Sequence, residues 1–555
     1  MKKLMLLPAV LFIVLTSCDA QLMTDHVKFT HADTLRGSVG EYRKHWNVLR
    51  YDIWVRPDYD SKSIEAKNTI TYYDSGVYIM QVDLQQPLII DDISNVDGKL
   101  SFKQDGNVCW VYVRDTLRKY KIQPGPRTIA ISYHGMPRVA VNPPWDGGWI
   151  WKKDQTGNVW MSVACQGLGA SVWYPCKDYQ GDEPDSGASL SITVPDTLVA
   201  VGNGRLVDTK KENSLATYTW QVKNPINNYN IIPYIGKYVN FTDTLNGENG
   251  KLDLSYWVLE EDLDKAKEQF KQAKTMLTCF EHWFGPYPFY DDSYKLVESP
   301  HLGMEHQSAV AYGNKFMNGY LGKDLSGTGW GLKWDYIIVH ESGHEWFANN
   351  ITTNDIADMW VHEGFTDYSE TLFTECQSGK QAANEYNYGQ RHGIQNKKTI
   401  IGYYGVNQEG SGDMYPKGAN LLHTIRHSMN DDDKFRNILR GLNKTFWHQT
   451  VNTSQIEDYI SKQSGINFSK VFDQYLRNTS IPELEYYFSN KKVFYRWKNC
   501  IKDFNLQLSL EKDDTTIRLK PTTKWQSIAV SQAQQQLINK DGIEKMYYVT
   551  VTEKK

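Results

Sequence analysis

Cysteine is scarce in this 555-residue chain, with seven in all, and none of them stands at zinc-ligand spacing. Cys165 and Cys176 either pair in an oxidising compartment or stay as buried free thiols. Beyond the first fifteen residues no apolar run is long enough to span a bilayer. The formal net charge is only −4, with no basic block and no acidic tail, so nothing points to nucleic acid or to a membrane-binding surface. The glycines at 319, 322, 327, 329 and 331 lie in a stretch without a phosphate-binding fingerprint. It reads as flexible coil, and no ligand is assigned to it. There is no internal repeat and no low-complexity tract. What remains is a folded chain with room for several domains.

Lys2-Lys3 followed by the apolar run Leu4 to Leu15, broken only by Pro8, has the positive-then-apolar plan of a secretory signal. Residues 1–20 are therefore read as a signal segment. Two endings are open: a lipid anchor on Cys18, since Leu15-Thr16-Ser17-Cys18 resembles a bacterial lipobox, or cleavage after Ala20 that frees Gln21. Either ending exports the protein, to the cell envelope (periplasm or outer membrane) or beyond, and only the first ties it to a membrane.

From about 40 to 245 the chain alternates in short strands separated by Gly, Pro, Asn and Asp turns. Leu49, Tyr51, Ile53 and Val55 share one face, and Ile64, Ala66, Ile70 and Tyr72 another. This predicts an all-β saddle or sandwich domain over 21–245. Helical spacing begins at Leu263 and dominates to about 480, with a short strand at Lys295 to Glu298. Strand-like alternation returns from Leu484 to Val551, a small β domain over 481–555. The fold class is multidomain α+β.

The chemistry sits in the helical part. His340-Glu341-Ser342-Gly343-His344 sets two imidazoles four residues apart, on one face of a helix, with a carboxylate beside them. Two such rings fill two corners of a zinc tetrahedron. Glu363, nineteen positions after His344 on a second helical pattern that starts at Trp360, brings a third ligand and leaves one position open. One zinc ion per chain is expected. Asp367, one turn after Glu363, is read as a solvated helix carboxylate rather than as an acceptor that orients a histidine.

Several motifs together resemble the zinc aminopeptidases typified by aminopeptidase N and leukotriene hydrolase, the gluzincins. These are Ser171-Val172-Trp173-Tyr174-Pro175-Cys176-Lys177-Asp178, Leu302-Gly303-Met304-Glu305-His306, the His340 to Glu363 set, and Tyr415-Pro416-Lys417-Gly418. The resemblance runs from about 45 to 500. It implies a thermolysin-like catalytic domain over 246–480 that hydrolyses the N-terminal bond of peptides with a free amine. Glu341 would be the general base and Tyr415 the oxyanion donor. Glu305 and Gln166 would hold the substrate ammonium, and the backbone of Gly303 and Met304 would line the first residue.

Departures from the family pattern bear on the substrate. Leu302 and His306 replace a Gly and an Asn beside Glu305, and Glu345 replaces a Gln after the second histidine. Many relatives continue into a helical cap domain, whereas this chain ends near the first small β domain, which predicts a more open cleft. The alternatives are another zinc hydrolase on the same scaffold, an endopeptidase or epoxide-type hydrolase, or a surface lipoprotein that keeps the fold only to bind. Intact Glu305 argues against the endopeptidase, and Glu341 with Tyr415 against the binding protein.

Overall fold

The computed structural model describes residues 28–115 and 123–554. The signal segment and Cys18 lie outside the described residues. Three parts follow one another. An N-terminal β part precedes a mixed part with a five-stranded sheet and most of the helices, and a C-terminal β part closes the chain.

The first part is built on an eight-stranded sheet. Its middle runs in the order β5–β4–β1–β2–β3, where β1 is Trp46–Asp58, β2 Ser63–Asp74, β3 Gly125–Gly135, β4 Ala188–Pro195 and β5 Leu215–Val222. Alternation decides the faces. Tyr51, Ile53 and Val55 of β1 are buried against Ile64, Ala66, Ile70 and Tyr72 of β2. Leu49 departs from the expectation. The register slips between Val48 and Arg50, so this bulge moves Leu49 off the inner face and lets Trp46 and Val48 point inward instead.

The hairpin of β6 (Tyr238–Gly247) and β7 (Gly250–Leu259) joins a different sheet. With β8 (Tyr294–Glu298), β9 (Gly303–Met304) and β10 (Val310–Tyr312) it forms five strands in the order β6–β7–β8–β10–β9. This sheet is covered on both faces, and its strands alternate between two cores. Leu296, Val310 and Tyr312 pack on the helices, whereas Val297, Met304 and Ala311 pack on the N-terminal β part. The short edge strand β9 is left at the junction of the two parts. That junction is where the cleft opens.

The helical spacing expected from Leu263 to Phe284 is two helices, Leu263–Gln269 and α1, Gln272–Phe284. Three further helices carry the site: α2 (Tyr336–Gly343), α3 (Trp360–Ser378) and α4 (Pro416–Met429). α3 is buried from Trp360 to Thr374. Each of its large apolar side chains, such as Phe365, Leu372 and Phe373, contributes about 2–3 kcal/mol by leaving water. A disulfide between Cys279 and Cys376 ties α1 to the end of α3. Cys165 and Cys176 are buried free thiols, the second of the two readings offered for them. The C-terminal part holds strands 483–489, 492–498, 508–512, 515–519, 526–529 and 550–553, and also two short helices, Gln532–Leu537 and Lys540–Met546.

Candidate metal centre and peptide cleft

The start of α2 is fixed by Asp335, whose carboxylate accepts from the N–H groups of Ile337 (3.1 Å) and Ile338 (3.3 Å). Asp335 is itself held by the Tyr312 hydroxyl at 2.7 Å and by Asn314 at 2.8 Å. This cap sets His340 one turn before the helix end and His344 at its C-cap, both buried. α3 brings Glu363 to them. Its Oε2 lies 3.7 Å from His340 Nε2 and 3.4 Å from His344 Nε2. Ligand atoms about 2.0 Å from a tetrahedral zinc stand about 3.3 Å apart, so these spacings match that geometry. The Glu363 Oε2 atom is buried and has no hydrogen-bond partner. Burial opposes its charge, but the imidazoles of His344 and His340 hold the carboxyl well below its usual range. Two nitrogens and one unsatisfied anionic oxygen converging in a buried site fit zinc.

What orients each histidine was not foreseen. His340 donates from Nδ1 to Glu370 Oε1 at 2.6 Å, which fixes the tautomer and turns Nε2 toward Glu363. The other Glu370 oxygen accepts from the Tyr386 hydroxyl at 2.6 Å and from Gln390 at 3.0 Å. His344 donates from Nδ1 to the Phe347 carbonyl at 3.0 Å, with the Thr366 hydroxyl also 3.0 Å from that nitrogen. Asp367 is not the solvated carboxylate expected of it. It is 4% exposed, and Gln390 bridges it to Glu370. Burial and the Glu370 charge push its carboxyl well above the ordinary range. Glu370 stands seven residues, or two turns, after Glu363, and that spacing is the one signal that points to it.

Tyr415 reaches the site because two helices touch backbone to backbone. A Cβ on Gly418 would lie 2.8 Å from the Gly364 Cα, so α3 and α4 cross at the two glycines. Pro416 at the first position of α4 then leaves Tyr415 just before the helix, over His340, with ring centroids 6.0 Å apart. Lys417 turns away and donates to the Asn478 carbonyl at 2.9 Å. Burial and the Glu363 charge raise the Tyr415 phenol well above its usual value, which keeps it protonated.

On the other side of the metal ligands lies Glu305, buried at the end of β9. Its Oε1 accepts from Gln166 Nε2 at 2.6 Å and from the Tyr229 hydroxyl at 2.8 Å. The Gln166 and Glu305 pairing expected from the sequence is thus present, and Tyr229 is an addition for which the sequence offers no signal. Gly303 is required as it stands, since a Cβ there would meet Glu341 Oε1 at 2.8 Å. Burial pushes Glu341 up to about 7, with the two histidines pulling the other way.

All of the expected residues, His340, His344, Glu363, Glu341, Tyr415, Glu305, Gln166, Gly303 and Met304, line one cleft with about 100 Å³ of room. Trp145 from the N-terminal part and Tyr320 and Tyr336 complete its walls. Tyr320 belongs to the glycine-rich stretch read as flexible coil, which the Asp324 carboxylate holds through Ser326 (2.9 Å) and Gly329. The departures fall differently. Leu302 does line the cleft. His306 is fully buried against the Tyr234 hydroxyl at 2.5 Å, so it shapes the loop behind Glu305 rather than the pocket. Glu345 accepts from the Ser308 N–H at 2.8 Å and is also absent from the cleft wall. Burial raises it to about 8.

A two-histidine, one-glutamate centre on adjacent helices, beside the edge of a five-stranded sheet, defines a gluzincin metallopeptidase fold. The Peptidase family M1 domain matches residues 268–475, so this part of the chain is similar to the M1 family, the gluzincin family of aminopeptidase N. A probable aminopeptidase 2 of Sulfurisphaera tokodaii is 21% identical over 431 residues, which is 72% of this chain and 53% of the relative. Aminopeptidase B of Mus musculus is 24% identical over 322 residues, 55% of this chain and 46% of the relative. The chain thus spans about half the length of these curated relatives. The crystal structure of a mutant M1 zinc metallopeptidase from Deinococcus radiodurans shares the fold with a TM-score of 0.65 at 19% identity. It covers 78% of this chain and 95% of that one. A second crystal structure of that protein, bound to a Tyr-Ser-Ala substrate, aligns with a TM-score of 0.63 at 19% identity, over 78% of this chain and 94% of that one.

Proposed function

We propose that the chain is a zinc-dependent aminopeptidase that removes the first residue of peptides with a free α-amine. The observation that carries this reading is Glu305, a buried carboxylate held by Gln166 and Tyr229 at one end of the edge strand that passes the metal ligands. An extended peptide adds to such an edge through its backbone. Its ammonium would pair with Glu305, and that contact sets the register so that the first peptide bond lies over Glu341. A bound zinc ion supplies Lewis acidity to the scissile carbonyl and to the attacking water. Glu341 takes the proton of that water and hands it to the leaving amine. The Tyr415 phenol donates to the carbonyl oxygen as charge builds there. Burial of the cleft strengthens each of these contacts.

Glu341→Gln tests the reading. The variant is expected to keep its zinc and to lose about 10²–10⁴-fold in turnover of an aminoacyl reporter. Turnover near the wild-type rate by a zinc-loaded variant would remove Glu341 from the mechanism. Export is part of the same proposal, and the Cys279–Cys376 disulfide supports an oxidising compartment. Mass spectrometry of the mature N-terminus separates a lipidated Cys18 from a free Gln21, and an unprocessed Met1 would end the export reading.

A further inference from the structure

A second and larger hollow, of about 440 Å³, adjoins the cleft. Leu302 lines both, and the neighbouring pairs Pro143 with Pro144 and Tyr320 with Leu321 stand one residue in each. The hollow therefore lies along the chain segment that leads into β9, from Glu298 to Leu302. Glu305 is at the opposite end of that strand. A peptide whose amine sits on Glu305 and whose backbone follows β9 passes Gly303 and then runs toward His301, into the hollow, with its leaving portion.

The hollow is a cationic one. Lys152, Lys153, Lys265 and Lys315 line it. The Lys152 ammonium is fastened to the wall beside the expected peptide path, where it donates to the Pro300 carbonyl at 2.6 Å. Among the described residues Lys152, Lys153 and Lys315 have no carboxylate within 4.0 Å. The acidic residues present are already engaged. Asp154 keeps its charge, held through both oxygens by Thr156 and Asn158, and Asp262 pairs with Lys265 at 2.6 Å, so the excess positive charge comes from Lys152, Lys153 and Lys315. Glu298 accepts from the Leu259 N–H at 2.8 Å, and burial raises it to about 8, so it carries little charge at neutral pH. His301 is buried in the wall behind this path, and burial holds its imidazole well below the usual range, so it adds no positive charge.

We propose that this lysine-lined hollow is an anion-selecting site for the leaving peptide, one that favours substrates with a carboxylate on the second or third residue after the scissile bond. The inference rests on the aminopeptidase reading above. The carboxylate is either an acidic side chain or the end of a short peptide, and one substrate series separates the two.

The experiment uses the zinc-loaded full chain and reads kcat/KM. Tetrapeptide amides of the form X-Ala-Glu-Ala, X-Ala-Gln-Ala and X-Ala-Lys-Ala are compared, with X the residue of the best aminoacyl reporter. The tripeptide X-Ala-Ala is added as free acid and as amide. The Glu peptide is expected to exceed its Lys twin by about tenfold at low salt, and the free acid to exceed the amide where the terminal carboxylate is the anchor. In Lys152→Met/Lys315→Met these ratios should fall to near one. Equal rates for the Glu, Gln and Lys peptides and for acid and amide, with the reporter still cleaved, overturn this inference and leave the aminopeptidase reading intact. Failure to cleave the reporter at all overturns that reading instead. The wild-type ratios need no variant to fold. Should the double variant misfold, Lys152→Gln alone carries the second arm, and an unchanged ratio there counts against Lys152.

Discussion

Glu370→Gln is the most informative single perturbation of the metal centre. Glu370 is fully buried and uses both oxygens, one for His340 Nδ1 at 2.6 Å and the other for Tyr386 and Gln390. Glutamine keeps the shape but loses the charge, so the bond to His340 drops from charge-assisted to neutral, which is worth about half as much. The new amide also meets a conflict. With its oxygen toward His340, its NH₂ faces the Tyr386 and Gln390 donors. With the amide reversed, two donors face each other at His340, and the ring loses the tautomer that points Nε2 at Glu363. One opposed buried contact costs about 1–3 kcal/mol. The expected result is a 10–100-fold loss of zinc affinity, or about 1.4–2.7 kcal/mol, read by competition with a chelator of known affinity at neutral pH. Asp367→Asn serves as the comparison, because Asp367 bonds to Gln390 and not to His340 and should weaken zinc far less. Zinc affinity within twofold of wild type in Glu370→Gln, or an equal loss in both variants, would refute the orienting role.

Two further outcomes follow from the packing. Removing the Cys279–Cys376 link with Cys376→Ser opens a loop with a sequence separation of 97 residues, and chain entropy alone sets the loss near 4–5 kcal/mol. An unchanged denaturation midpoint under non-reducing conditions would show that the link does not hold α3. Burial also pulls the Lys295 ammonium down from 10.5 to about 7. Between those values the unfolded chain keeps a proton that the folded state has shed, so this group adds stability as pH rises and exacts its full penalty below 7. Lys295→Met should therefore exceed wild type by ~2–4 kcal/mol at pH 7 and lose that lead toward pH 10. A difference between the two proteins that is flat in pH would contradict the assignment.

How much of this was legible depended on spacing. His340, His344 and Glu363 declare themselves because helical geometry turns intervals of four and nineteen residues into one site. Glu305, Gln166 and Tyr415 were legible only through family resemblance, since each arrives from a separate element and nothing local marks it. Tyr229, Trp145 and Tyr320 could not be read at all, because tertiary packing alone brings a turn and two loops to the cleft. The Asp367 reading failed for a similar reason. A carboxylate next to charged and polar neighbours looks solvated in sequence, whereas α3 is buried along most of its length and Asp367 is held by Gln390. At Leu49 strict alternation misled, because a bulge shifts the period by one. The Cys279–Cys376 pair joins positions whose spacing carries no signal, and it depends on α1 packing against α3.

The measurement that tests the central claim most directly sets free-amine aminoacyl reporters beside their N-acetylated twins, for wild type and Glu305→Ala, with and without chelator. Wild type is expected to turn over only the free-amine set, chelator to abolish this turnover and zinc to restore it, and Glu305→Ala to lose most of it while binding zinc as before. Cleavage of the acetylated twins at comparable rates, or free-amine turnover undiminished in Glu305→Ala, would contradict the account and point to an enzyme that acts within peptide chains.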